Sequence, residues 1–117
     1  MYAEETFLCY RLIHELHKEI YNVPSSKIIH FEGESFSKKI SYFRAKANVD
    51  GVTIYLTKAY GKETAISYLR FYSRSCRRKR LLAKLIHKKD KVESFDYLIK
   101  ASKERMEELK TLKLSDE

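Results

Sequence analysis

A chain of 117 residues with 44% apolar residues is long enough to bury a core and too apolar for wholesale disorder. Its 24 Lys and Arg outnumber 16 Asp and Glu, and eleven of those cations fall between residues 62 and 91, where Glu63 and Asp90 alone oppose them. Three Gly, one Pro and two Cys exclude collagen-like repeats and a disulfide framework, and no run approaches the roughly 18 apolar residues of a membrane span.

In chain order, residues 1–22 predict a helix. Leu8, Leu12, Leu16 and Ile20 recur every four residues, and beside them runs a second stripe of Tyr10, His14, His17 and Tyr21. That stripe is a candidate homodimer contact. Val23-Pro24 ends the helix, because the residue before proline avoids the helical region.

Three strands are expected next, at 27–32, 40–48 and 52–58. The second alternates at Phe43, Ala45 and Ala47; Asp50-Gly51 suits a hairpin turn, and Val52, Ile54 and Leu56 share one face of the third. The opposite face would carry Tyr42, Arg44, Lys46, Thr53 and Tyr55, joined by His30 and Glu32. A helical pattern resumes over 62–89. Its apolar stripe is Ala65, Ile66, Leu69, Tyr72 and Cys76 at first, then Leu81, Leu82, Leu85 and Ile86. At about 100° per residue the two stripes point in nearly opposite directions. If both are buried, the helix must kink or split within "SRSCRRKR". Asp90, with Glu93 three residues later, resembles a capping box and opens a last helix over 91–113. The expected fold is therefore α+β, one domain over 1–117. An N-terminal helix leads into a three-stranded antiparallel sheet (27–58) and then two or three C-terminal helices.

His14 and His17 lie three apart without an identifiable third ligand, so neither a metal nor a cofactor is expected. Cys9 and Cys76 read as buried free thiols of a cytoplasmic or other reducing intracellular compartment. Tyr97 followed by Lys100, downstream of a strand bearing His30 and Glu32, resembles the layout of rolling-circle replication initiators. That resemblance implies a metal-dependent nickase with Tyr97 attacking the scissile phosphate, and it stands as an alternative.

Residues 43–69, "FRAKANVDGVTIYLTKAYGKETAISYL", resemble the three-stranded-sheet DNA-binding domains of ethylene-response factors and of phage-type integrase arm-binding domains. The likeness rests on Phe43 to Lys46, the Asp50-Gly51 turn, Leu56, and Glu63 with Ala65 opening a helix. It implies a sheet in the DNA major groove with Arg44, Lys46 and Tyr55 on the reading face. The α-β-β-β-α order is also similar to double-stranded-RNA-binding domains, and residues 68–89 to the helical tail of a LAGLIDADG endonuclease half-domain without its acidic metal motif.

These resemblances agree on the ligand. The expected function is non-catalytic binding of DNA or RNA, with no membrane partner. Arg70, Arg74, Arg77, Arg78, Arg80, Lys84 and Lys88 would neutralise phosphates, and Arg44, Lys46 and Tyr55 would add grip or readout. A protein-interaction or dimerisation module is the remaining alternative.

Overall fold

The protein is described here in a computed structural model covering residues 4–27 and 40–112. Among the described residues there is no strand. The chain forms a short helix α1 (Glu4–Tyr10), continued by a π-helical segment (Arg11–Glu15), and three long helices: α2 (Tyr42–Tyr60), α3 (Lys62–Leu85) and α4 (Lys89–Thr111). The last three pack together as a bundle, and α1 touches α2 alone among them.

The expected sheet is thus overturned, and the α+β class with it. Both strands proposed at 40–48 and 52–58, and the turn between them, are one helix; the strand at 27–32, with His30 and Glu32, lies outside the described residues except for Lys27. The cause is a stripe masked by polar residues. Tyr42, Ala45, Val49, Thr53 and Leu56 are spaced by three and four, and of these Ala45, Val49 and Thr53 are buried. Thr53 hides the pattern because it is polar, yet its hydroxyl donates to the Val49 carbonyl at 2.8 Å and is fully buried. The apparent alternation fails as a face: Ala45 is buried, while Phe43 and Ala47 are exposed. Ser41 starts the helix, its Oγ accepting from the Arg44 backbone N–H at 3.2 Å. Strand propensity in the Val, Thr and Ile positions yields to burial against two neighbouring helices.

Gly61 alone separates α2 from α3. Its φ of +88° and ψ of 162° lie where essentially only glycine is at ease, and a Cβ there would meet no atom within 4 Å. Gly61→Ala should therefore lower stability by about 1–2 kcal/mol through backbone strain alone, as urea unfolding would measure.

α3 is a single helix without the expected split into a pair. Its buried side continues from Ala65, Ile66 and Leu69 through Ser73 and Cys76 to Ala83. The second stripe simply stays outside, with Leu81, Leu82, Leu85 and Ile86 between 59% and 74% exposed. The helix closes in a Schellman motif. His87 takes positive φ (54°), Lys88 N–H donates to the Ala83 carbonyl and His87 N–H to that of Lys84. α4 begins at Lys89, two residues earlier than expected, so Asp90 sits inside its first turn rather than capping it.

The core lies where small residues let the helices approach. Val49, Ala65, Ile66, Leu69, Ala101 and Leu109 form one cluster, and Ala45, Cys76 and Leu98 a second, with Tyr72 against both. Burial, with a smaller contribution from neighbouring Cys76, pushes the Tyr72 hydroxyl up to about 12. The folded state therefore prefers the neutral phenol, and its stabilisation is complete below the ordinary tyrosine value of 10 and lost as pH rises from 10 to 12. Alkaline unfolding followed by circular dichroism should show that loss, roughly 2 kcal/mol, and Tyr72→Phe should remove it. Burial likewise raises the Cys76 thiol, making it an inert core group; Cys9, expected to be buried, is exposed.

Candidate nucleic-acid interface

α3 carries eight Lys and Arg against Glu63 alone. Six of the eight, Arg74, Arg77, Arg78, Lys79, Arg80 and Lys84, fall in its C-terminal half, toward the negative end of the helix dipole. Their mutual repulsion remains. Arg70–Arg74 and Arg74–Arg78 are like-charged pairs four apart, each unfavourable by a few tenths of a kcal/mol.

On the other two bundle helices, Lys46, Arg105 and Lys110 sit in ion pairs, and Lys58 and Lys100 lie over aromatic rings. Lys46 sits 3.3 Å from Asp50 and 3.4 Å from Glu108; Arg105 donates to Glu108 at 2.9 Å and to the Thr53 hydroxyl at 3.1 Å. Lys110 pairs with Glu107 at 2.7 Å. On α3, among the described residues, Arg80 alone is ion-paired, its Nε lying 2.5 Å from the Asp96 carboxylate of α4, and Lys62 donates to the Leu112 carbonyl at 2.8 Å. Arg70, Arg74, Arg77, Arg78 and Lys84 are exposed, and among the described residues no carboxylate lies within ion-pair distance of them. Because α3 is one continuous helix, Arg70, Arg74 and Arg77 share one side of it, and the row from Arg70 to Lys84 extends about 21 Å along the axis. Lys88 is exposed in the link that follows. Lys79, part of the same basic run in the sequence, is exposed on this helix as well.

Arg44, Lys46 and Tyr55, assigned to a sheet face, lie instead on the helix α2. Arg44 and Lys46 lie in the first turns of α2, with Lys46 held by its two carboxylates. The Tyr55 hydroxyl donates to that of Tyr60 at 3.4 Å, and its ring packs edge-on against Tyr10. The alternative catalytic pair is also committed to packing. Tyr97 donates to Glu93 at 2.7 Å and meets the Tyr42 ring edge-on, while Lys100 Nζ sits 4.8 Å from the centre of the Tyr42 ring. His30 and Glu32 lie outside the described residues.

The aromatic stripe of the first helix is divided. Tyr10 packs inward on Tyr55 and Tyr60 and carries His14 against its ring at 4.7 Å. His17 and Tyr21 lie beyond the helical segment, which stops at Glu15 instead of continuing to residue 22. Among the described residues no three His, Cys, Asp or Glu converge as metal ligands, and no helix is long and apolar enough to cross a membrane. Compared with known proteins, the chain matches no family model, no curated protein and no solved structure.

Proposed function

We propose that α3 binds the phosphate backbone of a nucleic acid, without catalysis. One observation carries this reading: Arg70, Arg74, Arg77, Arg78 and Lys84 stand exposed along one continuous helix with no described carboxylate within ion-pair distance, whereas Lys46, Arg105 and Lys110 are paired. Cations held at fixed spacing with no internal partner are what a polyanion neutralises, releasing its condensed counterions. A row of about 21 Å suits contact with several successive phosphates, since duplex DNA presents one charge per about 1.7 Å of axis. The remaining chain supplies a rigid support, α3 being held by the core from Ala65 to Ala83.

Labelled single- and double-stranded DNA and RNA should be titrated across a salt series, with magnesium and manganese arms scored for cleavage. If about five phosphates are neutralised, log affinity falls with log salt at a slope near −4.5. A slope near zero, or no binding at low salt, would overturn the reading. The preferred strand form then separates DNA from RNA, and intact strands in the metal arms keep the protein out of the nickase class.

A further inference from the structure

Two apolar surfaces stand largely exposed among the described residues. The first is the strip of Leu81, Leu82, Leu85 and Ile86 at the C-terminal end of α3, each side chain more than half exposed. The second belongs to the N-terminal segment, where Leu8 is 57%, Ile13 48%, Leu16 52% and Ile20 48% exposed. Each would be an aggregation liability on a free monomer.

Their surroundings are opposite in charge. Glu4, Glu5, Glu15 and Glu19 outnumber Arg11 and Lys18 along the N-terminal segment, whereas Arg78, Lys79, Lys84 and Lys88 surround the α3 strip. Pairing two α3 strips would bring like charges together, so α3 is a poor partner for its own copy. The N-terminal segment is a good one.

It does not reach the strip within one chain. Tyr10 is packed on Tyr55 and Tyr60, at the end of α2 next to the start of α3, and α1 touches no other long helix. Leu81 lies 19 residues along α3 from Lys62, about 28 Å away, while Ile20 is five residues past Glu15 and within about 17 Å of it at full extension.

We propose that two copies associate reciprocally, the acidic apolar N-terminal segment of each lying on the Leu81–Ile86 strip of the other. A two-fold arrangement of this kind closes on itself and uses the interface twice, bringing eight aliphatic side chains together at each site. It leaves Arg70, Arg74 and Arg77 outside the contact, while Arg78 and Lys84 beside the strip belong also to the row proposed to meet phosphate, so association is measured without nucleic acid.

The test is sedimentation equilibrium of the full chain without nucleic acid, at micromolar concentration. The wild type should be a dimer. Leu16→Ser with Ile20→Ser, and separately Leu82→Ser with Leu85→Ser, should each weaken association at least thirtyfold, with helical circular dichroism unchanged because all four positions are exposed. Mixing the two variants should restore a heterodimer, since one intact N-terminal segment then meets one intact strip. A monomeric wild type, a dimer insensitive to either variant, or a mixture that stays monomeric would overturn the proposal. A monomer that sediments with phosphatidylserine vesicles but not phosphatidylcholine vesicles would assign the strip to a lipid surface instead.

Discussion

Reversing Arg74 and Arg77 to glutamate should lower nucleic-acid affinity by about a hundredfold or more at 0.1 M salt and flatten the salt slope by about two units. Each phosphate contact contributes roughly 0.9 to the slope, so losing two removes nearly two decades at that salt, and the added like-charge repulsion enlarges the effect. Both side chains are exposed and outside the core, so thermal unfolding should barely move. The same reversal at Lys46 and Arg80 is the control. Those cations are held by Asp50, Glu108 and Asp96, so the proposal requires a smaller loss of binding there, accompanied by a loss of stability. Equal losses of affinity for both pairs would mean that net charge alone drives binding.

The second large effect is structural. Arg105→Ala should cost about 1–2 kcal/mol of stability, below the roughly 3 kcal/mol of a fully buried pair because Asp50 and Glu108 are 29% and 45% exposed. Arg105 is the crosspiece between α2 and α4. Its side chain is 17% exposed, its Nε lies 3.7 Å from Asp50 Oδ1 and donates to the buried Thr53 hydroxyl, and its Nη1 donates to Glu108. Without it, Asp50 Oδ1, already buried and lacking a hydrogen bond among the described residues, loses its nearest cation there. Thr53 would at the same time lose the Arg105 donor.

This network also sets an acid response. Hydrogen bonding from Arg105, assisted by Lys46, holds the Glu108 carboxyl below the usual carboxylate range. A lowered folded-state value stabilises the protein above the ordinary carboxylate pKa, and that stabilisation disappears as pH falls through the lowered one. Urea midpoints measured from neutral pH down to acid should therefore fall less steeply for Arg105→Ala than for the wild type. Asp50→Asn combined with Arg105→Ala would complete a double-mutant cycle, and additive losses would show the two residues to be uncoupled.

Legibility from the sequence differed sharply between the two halves of the bundle. In α3 and α4 the apolar spacing is plain: Ala65, Ile66, Leu69 and Cys76, then Leu98 and Leu109, are buried as their periodicity requires. The error in α3 came from assuming that every leucine seeks the core. Leu81, Leu82, Leu85 and Ile86 do not, and once they are allowed to remain in water the reason for a kink vanishes. In α2 the evidence in the letters was of the wrong kind. A buried Thr53, small Ala45 and a glycine beside Asp50 supply a helical stripe with little hydrophobic signal, while Val52, Ile54 and Tyr55 raise strand propensity. What would have tipped the balance is the Lys46–Asp50 spacing, an ion pair four residues apart that only a helix makes. The basic row was legible because charge asymmetry needs no fold to be seen. Which of its members are free to meet a ligand was not, since pairing Arg80 with Asp96 depends on how α3 and α4 lie together.

The short links of the bundle have a consequence for how quickly the chain acquires its shape. One residue, Gly61, joins α2 to α3, and three, Ile86 to Lys88, join α3 to α4, so much of the core is made between neighbours in the chain. Helical domains with such local connectivity fold on the order of microseconds to milliseconds. The single proline, Pro24, lies outside α2, α3 and α4, so their assembly awaits no prolyl isomerisation. Whatever partner α3 meets, it meets a support that is built almost as soon as its last helix exists.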